Sequence, residues 1–206
     1  AELLQVLTDA HGEEFDRTDN LMIGLQLTHS GRFCRPFRKD RMEPAILYHH
    51  PILDRKFDIP ADHPVLDDDH IRRLIERYIE AARIADEVGY HFVDVKHCHG
   101  YLGHEFLSAR DRAGEFGGSF ENRTRFCREI LQGIRAVAPR LRLGVRVSAF
   151  DTVPFRPDPE SSSEGRLGPG VPEGLHGLLP YRFGFGLAPE DPLRIDLTET
   201  LRFINA

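Results

Sequence analysis

The sequence predicts a parallel α/β fold and, within that class, part of a TIM (β/α)8 barrel. Three observations carry this. Apolar stretches alternate as strand, helix, strand, helix, strand, an order that calls for parallel pairing and right-handed crossovers. Each strand has one greasy face and one mixed or polar face, since neighbouring side chains in a strand point opposite ways. The mixed face of each strand gains a functional head group near its C-terminal end, at Gln26, Lys96 and Arg146. In a barrel such places converge at the C-terminal mouth, where active sites sit. An open doubly wound sheet gives no reason for three coincident polar positions.

The elements follow in order. Residues 2–10 read as a short helix, with Leu3, Leu4 and Leu7 at helical spacing. After the polar turn Asp16–Asn20, residues 21–28 read as a strand, with Ile23, Leu25 and Leu27 on the greasy face. Residues 36–64 contain several prolines and read as a long irregular loop, and a loop of that length in a compact domain is usually functional. Asp67 is placed to cap a helix carrying Ile71, Leu74, Ile75, Tyr78, Ile79 and Ala82, and Gly89 sits where a helix-ending glycine belongs. Residues 92–96 are the next strand, with Val93 and Val95 opposed to Phe92, Asp94 and Lys96. A glycine-rich connection over 97–119 leads to a helix over 121–137, stopped by Pro139. Residues 141–148 are the third strand, with Leu143, Val145 and Val147 on the greasy face. Residues 151–186 are rich in Pro, Gly and Ser and read as a surface excursion, and 197–204 as the start of a further helix.

Composition bounds the function. The 206 residues fit one domain, spanning 1–206, with 40% hydrophobic and 29% charged residues. A net charge of −6 with acids and bases interspersed gives no basic footprint, so nucleic acid is not an expected partner. The apolar runs at 21–27 and 143–147 fall far below the roughly 20 residues of a membrane span, and the first residues lack the pattern of a signal peptide. Three cysteines at wide, unequal spacing are not a disulfide framework. The expectation is a cytoplasmic protein in a reducing setting, working on a small-molecule substrate.

The polar residues of the mixed faces bear the chemistry. Gln26 is a neutral amide able to donate to and accept from a ring edge, or equally to be satisfied by its neighbours. Arg146 keeps its charge and calls for an anion, a ring that becomes anionic, or an ion pair with Asp94. Lys96, His97, Cys98 and His99 form the densest cluster, followed by His104. The histidine spacing raises a metal site, but no inward carboxylate completes a ligand set. Donation to a carbonyl oxygen that gains charge is the better use of His and Lys. Tyr101 is placed to act as a general acid, or to be wedged in the loop with its hydroxyl paired.

The motifs Leu25-Gln26-Leu27-Thr28-His29-Ser30-Gly31-Arg32, His99-Gly100-Tyr101-Leu102, Glu105-Phe106-Leu107-Ser108, Gly117-Gly118-Ser119-Phe120-Glu121-Asn122-Arg123 and Gly144-Val145-Arg146-Val147-Ser148 resemble, in this order, stretches of the Old Yellow Enzyme-like NADH:flavin oxidoreductases. The resemblance runs through most of residues 20–150. It implies an FMN-dependent enzyme that draws on NAD(P)H to reduce the activated C=C bond of an α,β-unsaturated carbonyl compound. It places Gln26 at the flavin pyrimidine edge, Arg146 near flavin N1 and O2, His99 on the substrate carbonyl and Tyr101 as proton donor. The Gly-Gly-Ser run is structural by the same comparison. In that family the position of Lys96 is a His, and a Lys there is a mobile point charge rather than a planar ring.

The resemblance also makes the three strands the third to fifth of a barrel that typically takes about 250 residues and eight strands. A fragment is therefore expected, completed by a missing chain segment or a homo-oligomer and, by itself, a poor binder of FMN. A Schiff-base or metal-dependent lyase using Lys96, and a non-catalytic partial barrel, remain as alternatives at this stage.

Overall fold

The computed structural model describes residues 2–205; Ala1 and Ala206, part of the expected unit 1–206, lie outside the described residues. In chain order the elements are α1 (Glu2–Phe15), β1 (Gly24–Leu27), a 3-10 turn (Gly31–Phe33), α2 (Pro51–Lys56), α3 (Asp68–Val88), β2 (Phe92–His97), α4 (Leu102–Leu107), α5 (Phe120–Val137), β3 (Arg142–Val147), β4 (Phe155–Pro157), β5 (Gly170–Pro172), β6 (Leu187–Ala188), β7 (Asp191–Ile195) and α6 (Thr198–Ile204).

β1, β2 and β3 form one parallel sheet in sequence order. Its greasy face is sealed by α3 and α5. Val93 and Val95 are fully buried there with Ile71, Ile75, Phe126 and Ile130. α3 forms because its apolar residues recur at helical spacing and both ends are signalled. The Asp67 carboxylate accepts the amide of His70 at 2.6 Å. Gly89 ends the helix at φ 101°, a left-handed conformation that costs glycine little. α5 starts where the Ser119 hydroxyl accepts the amide of Asn122 at 3.2 Å.

Several boundaries differ from the sequence expectation. α1 continues through Gly12 to Phe15, since one glycine costs a helix only about 1 kcal/mol. The first strand pairs only from Gly24, and the second extends to His97. The loop 36–64 contains α2, which opens with Pro51 at its first turn and is capped by a histidine: His50 Nδ1 accepts the amides of Ile52 and Leu53, each at 3.2 Å. α4 lies beneath the C-terminal end of β2, so close that a Cβ on Gly103 would stand 2.5 Å from the Lys96 carbonyl oxygen.

Residues 149–197 contain two antiparallel pairs, β4 with β5 and β6 with β7, around a small core of Val153, Tyr181 and Leu187. Their ends are held together. The Thr200 hydroxyl donates to the Ala149 carbonyl at 2.5 Å, and the Asp151 amide to the Phe185 carbonyl at 2.7 Å. α6 is fixed through Glu199, which receives Arg123 at 2.5 Å and Arg110 at 2.7 Å. Arg123 is buried and also donates to the carbonyls of Leu107 and Gly118. Gly118 and Arg123 of the Gly-Gly-Ser-Phe-Glu-Asn-Arg run are thus structural, as the resemblance implies. Among the described residues no helix is long and apolar enough to cross a membrane.

Candidate functional site

The second face of the sheet carries the polar positions, and Gln26 and Arg146 stand exposed on it. Lys96 pairs in register with Arg146. Gln26, however, pairs with Asp94 and donates to it at 2.6 Å. The three residues share a face, but Gln26 sits one pleat below the other two rather than at the corresponding place. The physical reason is register: β1 ends at Leu27, level with Val95, so its last inward side chain lies lower. Asp94 spends its carboxylate on Gln26, and among the described residues Arg146 is exposed and makes no ion pair. The alternative of an Arg146–Asp94 pair is not realised.

Beyond β2 the chain makes a tight turn. His99 and Gly100 both adopt left-handed conformations, φ 61° and 66°. For a histidine this costs about 1–2 kcal/mol, so the surroundings must enforce it. The His99 amide donates to Ser148 Oγ at 3.2 Å, linking the turn to the end of β3. His99 itself is exposed. Tyr101 folds back so that Lys96 Nζ stands 3.5 Å from its ring centroid, and Phe33 packs near it with centroids 6.1 Å apart. Lys96 and Tyr101 are therefore in contact, with His99 exposed on the turn between them.

His97 does not join them, whereas Cys98 follows Lys96 on the polar face, buried but close enough to Arg146 and Lys96 for their charges to act on it. His97 points to the helix layer, fully buried between Phe126 and Phe203; among the described residues neither ring nitrogen makes a hydrogen bond, the nearby Val95 carbonyl only opposing the effect of burial. Burial pulls its pKa down to about 4. Among the described residues no group of three or more His, Cys, Asp or Glu side chains converges as metal ligands. A buried imidazole without partners is a desolvation cost of about 1–3 kcal/mol. Replacing His97 by Leu should recover an amount of that order near pH 7. It should also flatten the acid limb of stability. A histidine with a depressed folded pKa stabilises fully above the unfolded value of 6.5 and loses that contribution as pH falls toward 4. Urea unfolding of both proteins at pH 7.5 and pH 5 measures this; a variant that is less stable at both pH values contradicts it.

Behind the turn lies a polar network that the sequence did not announce. Arg32 is buried and bonds Asp54, Glu105 at 2.6 Å and the Tyr48 carbonyl at 2.9 Å. His49 adds a contact to Asp54 at 2.6 Å. Burial pushes the Glu105 carboxyl up to about 7. Arg32, Tyr48 and Glu105 border a cavity of about 200 Å³ that also meets His50, His104, Asp151 and Tyr181. His50 is held at about 4 by burial and, because Nδ1 accepts two amides, carries its proton on Nε2, 3.3 Å from the Tyr181 hydroxyl. The one available sequence signal was His50-Pro51, a cap followed by a first-turn proline.

With this geometry in place, comparison with known proteins is decisive for the family. Residues 17–158 match the NADH:flavin oxidoreductase / NADH oxidase family. The chain is 35% identical over 159 residues to NADPH dehydrogenase of Bacillus subtilis, covering 72% of this chain and 44% of that protein. It is 42% identical over 84 residues to 12-oxophytodienoate reductase 1 of Oryza sativa subsp. japonica, covering 40% of this chain and 22% of that one. The structure of histamine dehydrogenase from Rhizobium sp. 4-9 superposes with a TM-score of 0.57 at 25% identity, covering 71% of this chain and 21% of the other. The chain spans less than half the length of these relatives, which agrees with a partial barrel. The chain belongs to the NADH:flavin oxidoreductase / NADH oxidase family, the Old Yellow Enzyme-like enzymes that work with FMN and a nicotinamide cofactor.

Proposed function

We propose that this chain supplies the third to fifth strands of an FMN-binding barrel that reduces the activated C=C bond of an α,β-unsaturated carbonyl compound. The observation that carries the reading is the polar face of the sheet: Arg146 stands there exposed and, among the described residues, without an acidic partner, level with Lys96 and one pleat above Gln26. This donor set fits a flavin. The Gln26 carbonyl oxygen, left over from the bond to Asp94, is free to accept a ring N–H. The Arg146 guanidinium is a permanent cation suited to a ring oxygen or nitrogen that becomes anionic. FMN, when bound, supplies the hydride chemistry, and the protein supplies orientation and charge.

The chain's own residues do the rest. His99 and Lys96 donate to the carbonyl oxygen as it gains charge. Tyr101 delivers a proton to the α-carbon. Lys96 is half-buried against the Tyr101 ring, where a cation is favoured, and this suits charge stabilisation better than a Schiff-base nucleophile, which must lose its proton. The excursion 151–186 belongs to the same unit, and the free thiols of Cys34, Cys98 and Cys127 suit a reducing, cytoplasmic setting.

The test is a titration with FMN followed by amide NMR shifts, which read millimolar as well as tighter affinities. Shifts should concentrate at residues 26, 96 and 146, and Arg146→Ala should weaken binding about tenfold. Shifts confined to other surfaces would refute the reading. Affinity should be modest, because little of the ligand is buried by an open sheet.

A further inference from the structure

We propose that His104 is the positioning residue of this site: it holds the left-handed His99–Gly100 turn that presents His99 and Tyr101. This rests on the function proposed above. Two consecutive left-handed residues are not held by the regular ladder, so their amides need other partners. The His99 amide uses Ser148 Oγ. The Gly100 amide donates to His104 Nδ1 at 2.9 Å. His104 sits in the first turn of α4 and is 3% exposed.

The imidazole can accept that amide only if its proton is on Nε2. Burial keeps the ring neutral, the Asp151 carboxylate opposing that effect. Nε2 has no hydrogen-bond partner, and it faces Asp151 Oδ1 at 3.6 Å. Asp151 comes from the segment after β3 and is itself held by Ser108 Oγ and the Phe185 amide, both at 3.3 Å. The arrangement runs from His104 to the Gly100 amide and then to the two flanking side chains. The His99 amide on Ser148 Oγ ties the loop after β2 to the end of β3. Thus the group beside Arg146's strand and the groups beside Lys96's strand are fixed relative to one another.

The assignment makes a prediction that a merely space-filling histidine does not. Asn places its amide oxygen where Nδ1 lies, whereas Gln places it one bond farther out. His104→Asn should keep the turn; His104→Gln and His104→Ala should lose it. Amide hydrogen exchange of Gly100 should be at least tenfold faster in the Gln and Ala variants and near wild type in Asn. In the wild-type chain, ¹⁵N shifts should show an unprotonated Nδ1 and a protonated Nε2 on His104. In chain saturated with FMN, 2-cyclohexenone binding should weaken with Gln and Ala, as it should with His99→Ala, and recover with Asn.

Unchanged Gly100 exchange in His104→Ala, or a protonated Nδ1, overturns the assignment. So does faster exchange with unaltered enone binding when His99→Ala does weaken it. Enone binding indifferent to His99→Ala instead overturns the role of His99, and is read in a separate variant. If the Ala variant fails to fold, the wild-type tautomer and the Asn–Gln contrast decide.

Discussion

Replacing Arg32 by Met should destabilise the protein by about 3–5 kcal/mol, a large part of the 5–15 kcal/mol that holds an ordinary domain together. Arg32 is 2% exposed and is the shared partner of two carboxylates, Asp54 and Glu105. Met fills similar space but leaves two buried acids with no guanidinium between them. Removing one partner of a buried network costs far more than the network contributes net, because the uncompensated charge stays behind. The loss should depend on pH in a definite direction. Burial has already pushed Glu105 up to about 7, from an ordinary value of 4.5. A carboxyl raised in this way adds stability that is fully present below 4.5 and is lost as pH rises through about 7. Without Arg32 that carboxyl rises further, so the gap between variant and wild type should narrow from pH 8 to pH 5. Urea unfolding across that range measures it. A penalty under 1 kcal/mol at pH 8, or one that widens on acidification, would show that the network is not a buried ion pair.

On the function proposed above, the second large effect is on turnover. Tyr101→Phe should lower the rate of alkene reduction by FMN-loaded protein by 10²–10⁴, the usual worth of a positioned proton donor. Phe keeps the ring that Lys96 covers at 3.5 Å and that Phe33 packs against, so the turn should survive. Only the phenol is lost. The half-reaction with the nicotinamide asks nothing of that phenol and should proceed at the wild-type rate. Stopped-flow measurement of the two half-reactions separates them. If alkene reduction stays within threefold of wild type, Tyr101 is a packing residue and the proton comes from elsewhere.

Much of the scaffold was legible because its signals are local. Asp67 and Gly89 mark the two ends of α3, and both do so in the structure through the hydrogen bond and the left-handed angle expected of them. The alternation in β2 separates Val93 and Val95 from Asp94 and Lys96, and burial follows it. What sequence alone could not supply was register between strands. Alternation says which face Gln26 occupies but not how high it stands, and height depends on where β1 begins to pair. Short helices were also hidden. α2 and α4 have six residues each, too few for a periodic pattern to stand out.

The buried charges were hidden for another reason. Arg32, Asp54 and Glu105 are spread over more than seventy residues, and nothing local distinguishes an acid that will be buried from one that will face water. His97 illustrates the converse: it stands beside Lys96 in sequence, yet the strand turns it to the opposite layer. The cluster Lys96–His99 looked dense because sequence counts neighbours that the pleat separates.

The bond from Thr200 to the Ala149 carbonyl has an implication for how such proteins diverge. It fixes the two ends of the fifty or so residues between β3 and α6 at one spot, while Glu199 locks the second end to Arg110 and Arg123. Closing a flexible loop costs entropy that grows only with the logarithm of its length, so doubling that stretch would add roughly 0.6 kcal/mol. Insertions and deletions between β4 and β5, within residues 158–169, should therefore cost little, so long as the stapled ends survive. The molecule thus holds a stretch whose length can change between two ends that cannot move apart.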